Sequence, residues 1–140
     1  MFTHSTYIRV RYAETDKMGF VYYGNYSTYY EVARVESMRH LGINYKTMED
    51  EGILMPVIEN SSRYIKPALY DDLLEVRLRI EKLPSVKIQF HYEIYNEAEV
   101  LLHTGTTTLV FLDTQTRKTV AAPSYILDKL SPYFDEVSHN

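Results

Sequence analysis

The chain has 140 residues, 45% of them apolar and 24% charged, with a net charge of −4 and no cysteine. That is material for one domain, residues 1–140, with a single core, and it excludes a disulfide framework, a thiolate metal site and a thiol nucleophile. The acidic balance speaks against a general nucleic-acid binder. No stretch is long and apolar enough to span a membrane and the N-terminus lacks signal-peptide character, so the expectation is a cytoplasmic protein without nucleic-acid or membrane partners.

Ile8, Val10 and Tyr12 alternate with Arg9 and Arg11, which predicts a first strand wet on one face. From Asn25 the period changes. Asn25 is a candidate cap, Tyr26, Tyr29, Tyr30, Ala33 and Leu41 lie on or near one stripe, and Gly42 after Arg39 and His40 predicts the stop of one long helix. A short helical turn over 45–51 and a strand over 53–66, ended by Pro67, come next. Leu74, Val76, Leu78 and Ile80, then Ile88, Phe90, Tyr92 and Ile94, alternate with polar residues as two strands joined through Pro84 and Ser85. After a turn at 96–99, a long strand runs over 100–112 with Gly105 as a bulge or bend, and Pro123 opens a short terminal helix. One long helix among antiparallel strands is an α+β domain, in which the sheet must cover the helix's apolar stripe.

Chemistry concentrates where the first strand gives way to the helix. Asp16 offers a carboxylate that can act as base or nucleophile, and the helix start near Tyr23, Gly24 and Asn25 offers backbone N–H groups that attract negative charge. Gly24 also lets a substrate approach the backbone closely. Glu14 is either a second carboxylate for the same site or a solvated loop charge. The five histidines show no metal-ligand spacing, and no nucleophile elbow, Walker loop or dinucleotide glycine pattern is present, so neither a metal nor a bound cofactor is expected. Of 14 tyrosines, Tyr22, Tyr23, Tyr26, Tyr29 and Tyr30 cluster, as pocket wall or subunit contact.

The segment 12–34, with Asp16, Gly19, Val21, Tyr23, Asn25, Tyr26, Glu31, Ala33 and Arg34 in place, resembles the 4-hydroxybenzoyl-CoA thioesterase family of hotdog-fold proteins. The likeness extends over nearly the whole chain, including 63–72. It implies a hotdog fold, an antiparallel sheet of about five strands wrapped around one long central helix, and hydrolysis of an acyl-CoA thioester with CoA as part of the substrate. Asp16 then matches the essential carboxylate, and the main-chain N–H of Tyr23, with that of Gly24, polarises the thioester carbonyl. Tyr23 stands where related bacterial enzymes often carry His, so no acid/base role passes to its phenol. Glu31 matches an acidic helix position, read as a supporting residue or as an ion-pair partner of Arg34.

Tyr22 and Tyr26 are the candidate acyl contacts. Arg63, Lys66, Lys82 and Lys87 are the cations available to CoA phosphates; some relatives use paired arginines at the turn between the middle strands, where this chain has Ser85 and Lys87. A homodimer or homotetramer is implied, with the acyl pocket between subunits. An acyl-carrier protein in place of CoA, or a non-hydrolysing binding module on the same fold, is the alternative.

Overall fold

The computed structural model describes residues 1–134. In chain order it runs β1 (Phe2–Arg9), α1 (Asn25–His40), α2 (Tyr45–Asp50), β2 (Ile53–Leu54), β3 (Val57–Tyr64), β4 (Leu73–Ile80), β5 (Lys87–Tyr95), β6 (Leu101–Asp113), β7 (Thr119–Val120) and α3 (Ser124–Leu130). Strict alternation builds the middle of the sheet: Leu74, Val76, Leu78 and Ile80 of β4, and Ile88, Phe90, Tyr92 and Ile94 of β5, are all buried while their neighbours face outward. The strands pair antiparallel as β1-β4-β5-β6, and β2, β3 and β7 take the far side of the long β6.

Helix α1 presents Tyr26, Tyr29, Tyr30, Ala33, Ser37 and Met38 to the core, an i, i+3, i+4, i+7 stripe against the buried face of that sheet. Tyr30 lies flat on Tyr92 of β5, ring centroids 4.1 Å apart, and Tyr26 lies flat on His103 of β6 at 4.0 Å. The helix stops where the sequence says it should. Gly42 takes φ +82, its N–H donates to the Arg39 carbonyl, and the Ile43 N–H donates to that of Met38, which satisfies the last carbonyls in a Schellman arrangement.

Several expectations need correction. Among the described residues the sheet has seven strands rather than about five, because two-residue strands β2 and β7 flank the end of β6. The single strand expected over 53–66 is two: the chain breaks at Met55 and Pro56, where proline supplies no N–H to a ladder. The first strand ends at Arg9, earlier than Tyr12, which opens a single 3-10 turn over Tyr12–Glu14. Asn25 is not the cap; it is the first helical residue, and its side-chain NH2 donates to the Glu14 carbonyl at 2.8 Å. Gly105 is no bulge, since β6 runs through it in register with Tyr92 and Ser62. It is glycine because the Tyr30 phenol presses on it: a Cβ there would lie 2.0 Å from the Tyr30 hydroxyl oxygen.

Candidate active site

Asp16 sits at the head of a tight turn. Its Oδ1 accepts the N–H of Met18 (2.9 Å) and of Phe20 (3.3 Å), its own N–H donates to the Phe20 carbonyl, and Gly19 closes the turn at φ +77, a conformation that suits glycine. One carboxylate oxygen is thereby fixed to the backbone. The other, Oδ2, accepts no hydrogen bond among the described residues.

The helix start is tied to the same stretch through Glu14. The Glu14 carbonyl accepts the Tyr22 N–H (2.9 Å) and the Asn25 side chain, while its carboxylate accepts the Arg11 N–H and guanidinium and the Tyr29 hydroxyl (2.9 Å). Burial pushes this carboxyl up, but the bonds from Arg11 and Tyr29 outweigh it and hold its pKa below the ordinary value. Glu14 is therefore neither a solvated loop charge nor a group open to a ligand; it is a buried brace. Among the described residues the N–H groups of Tyr23 and Gly24 have no acceptor, which leaves the donor pair that a helix start offers to an oxyanion.

A hollow of about 300 Å³ brings Asp16 and Tyr23 together, with Phe20, Tyr26, Tyr64, Lys66 and Pro67 also in its lining; Gly24 is next to Tyr23 in the chain but does not line it. Tyr22 is half exposed and leans beside it, its ring 4.7 Å from that of Tyr23, and a Cβ on Gly24 would lie 2.9 Å from Tyr22 Cε2. Tyr29 does not reach the hollow; it is buried against Glu14. The other expected contacts lie apart. Arg63 lines a hollow with Arg79, His91 and Glu93 on the outer face of the sheet, and Ser85 and Lys87 line another with Lys82 and Gln89. Glu31 is exposed, borders a hollow beside α2, and makes no ion pair with Arg34, whose Nη1 donates to the Tyr92 hydroxyl instead. Among the described residues no cluster of three or more His, Asp or Glu could hold a metal ion, and no helix is long and apolar enough to cross a membrane.

His103 is a core residue that no sequence motif marks. It is fully buried behind Tyr26, its Nε2 shares a hydrogen bond with the Tyr30 hydroxyl, and its Nδ1 has no partner among the described residues. Burial lowers its pKa to about 4, so the ring is neutral at physiological pH. In the unfolded chain the ring titrates near 6.5, so the unfolded state takes up the proton first. Stability is then lost as pH falls from about 6.5 towards 4, by about 3 kcal/mol. Urea unfolding across that range should show this slope in the wild type and a shallower one in His103→Gln. Equal slopes would remove the assignment. The only advance signal was its place in a strand otherwise rich in Leu, Thr and Val.

The thioesterase-like superfamily model matches residues 10–130. The chain is 38% identical over 113 residues to the protein named putative acyl-CoA thioesterase YneP of Bacillus subtilis, covering 81% of this chain and 82% of that one. It is 31% identical over 120 residues to the acyl-CoA thioester hydrolase YbgC of Escherichia coli O157:H7, covering 86% and 90%. Among solved structures, the DHNA-CoA thioesterase of Staphylococcus aureus superposes with a TM-score of 0.82 at 37% identity, over 99% of this chain and 88% of that one. With the matched region spanning the Asp16 turn, α1 and every strand of the sheet except β1, the chain belongs to the thioesterase-like superfamily of hotdog acyl-CoA thioesterases.

Proposed function

We propose that the protein hydrolyses acyl-CoA thioesters to a free acid and CoA, with α1 as the helix around which the hotdog sheet closes. The observation that carries this is the shared hollow: Asp16, with one carboxylate oxygen unpaired, and Tyr23, just before the helix and with its N–H unpaired among the described residues, line the same space in a chain of this superfamily. The Tyr23 and Gly24 N–H groups polarise the thioester carbonyl as it gains negative charge, an effect worth a few kcal/mol per donor. Oδ2 of Asp16 then either attacks the carbonyl carbon, expelling CoA thiolate and leaving a mixed anhydride for water to open, or takes a proton from the attacking water. Lys66, at the hollow's rim, is the cation placed to meet CoA phosphates; Tyr26 lines the acyl end and Tyr22 flanks it. The test is hydrolysis of a panel of acyl-CoA and acyl-carrier-protein thioesters by wild type and Asp16→Asn; ligand binding without Asp16-dependent turnover would favour a non-hydrolysing module.

Self-association belongs to the same reading. Every residue of β3 is exposed, its outer edge has no neighbour among the described residues, and Val57, Ile58 and Tyr64 place apolar side chains there. A second copy pairing β3 with β3 across a two-fold axis closes that edge. Light scattering after gel filtration should return a dimer or tetramer mass, and Ile58→Lys should move it towards one chain. A wild type that runs as a monomer at every concentration would end the proposal.

A further inference from the structure

The thioesterase reading leaves a buried arginine unused. Arg34 of α1 is only 9% exposed, Nη1 donates to the Tyr92 hydroxyl at 2.9 Å, and among the described residues no carboxylate lies within ion-pair distance. A guanidinium carries five N–H donors and is costly to bury with so few acceptors. Beside it lies the buried Tyr45 hydroxyl, which has the Arg34 guanidinium as its neighbour and no well-formed hydrogen bond among the described residues. Both groups line a hollow of about 370 Å³ whose other walls include Met48, Ile53, Met55 and Val57. Such a space takes an apolar body with an oxygen at its tip. The exposed carboxylates of Glu31 and Glu49, also on its border, disfavour an anionic tip and leave a neutral hydroxyl or carbonyl.

Within one chain this hollow is at the Val57 end of β3 and the Asp16 hollow is at the Tyr64 end, a span of about 23 Å along the strand. An antiparallel β3–β3 pair centred on the strand midpoint reverses that relation, because the Val57 end of one copy then meets the Tyr64 end of the other. We infer that Arg34 of one copy anchors a neutral oxygen at the far end of an acyl group whose thioester lies at Asp16 of the other, and so selects acyl groups carrying that oxygen. This rests on the thioesterase reading and on the β3 pair.

The test compares 6-hydroxyhexanoyl-CoA with hexanoyl-CoA, and 4-hydroxybenzoyl-CoA with benzoyl-CoA. The wild type should favour the oxygenated member of at least one pair by about tenfold in kcat/KM, and Arg34→Met should bring that ratio to within about twofold of one. Met55→Trp, which fills the hollow and keeps Arg34, should also erase the preference and serves if Arg34→Met does not fold. In mixed dimers of Asp16→Asn with Arg34→Met, one composite site regains both groups, so selective turnover should return; selectivity that never returns on mixing, or a ratio unmoved by both variants, overturns the inference. Should the wild type hydrolyse none of the four thioesters, the hydrolase reading fails on its own. Dissociation constants for the same pairs then decide the anchor: a preference lost in Arg34→Met upholds it, and equal constants overturn it.

Discussion

Asp16→Asn should lower kcat for a responsive acyl-CoA by about 10³-fold, with KM little changed and the circular dichroism spectrum retained. The substitution is informative because it is nearly isosteric. The amide oxygen of asparagine can still accept the Met18 and Phe20 N–H groups that hold Oδ1 in the wild type, so the turn closed by Gly19 survives. What is lost is the free oxygen's ability to attack a carbonyl or take a proton. Asp16→Ala should lose as much turnover and also loosen the turn. If Asp16→Asn kept more than a tenth of the wild-type kcat, neither role for Asp16 would stand.

Gly105→Ala should be the most damaging single methyl group in the fold. The new Cβ would lie 2.0 Å from the Tyr30 hydroxyl oxygen, 2.5 Å from its Cζ and 2.9 Å from the Ser61 carbonyl oxygen. The ring has nowhere to go: it is stacked on Tyr92, and its hydroxyl is bonded to Ser62 and His103. Overpacking combined with broken buried bonds should cost about 3 kcal/mol, read as a fall in Tm of about 10 °C for a domain of this size. Tyr30→Phe removes the atom in closest conflict, so the double variant should lose less stability than the sum of the singles. Strict additivity would show that the clash is relieved elsewhere.

Patterns of short range carried most of what could be read before the structure. Alternation along β4 and β5, the Gly42 stop and the placing of Asp16 and Tyr23 around one hollow all follow from residues near one another in sequence. Gly105 and Glu14 depend instead on partners distant in the chain. In the sequence Gly105 reads as a bulge or bend, because its reason, the Tyr30 ring, comes from α1. In the sequence Glu14 reads as a second site carboxylate or a solvated charge, because the hydroxyl that bonds it belongs to Tyr29 in α1. Arg63, Ser85 and Lys87 join the site only through the resemblance, and within one chain they line other hollows.

Glu14 has a consequence for how the site stays ready. Its main-chain oxygen holds Tyr22 and Asn25 on either side of the Tyr23–Gly24 donor pair, and its side chain is clamped from the turn by Arg11 and from the helix by Tyr29. In the proposed reaction, Asp16 and the Tyr23 and Gly24 amides are spaced by bonds of the fold itself, so a thioester would enter a setting whose alignment was completed during folding and would spend little of its own binding energy on arranging it.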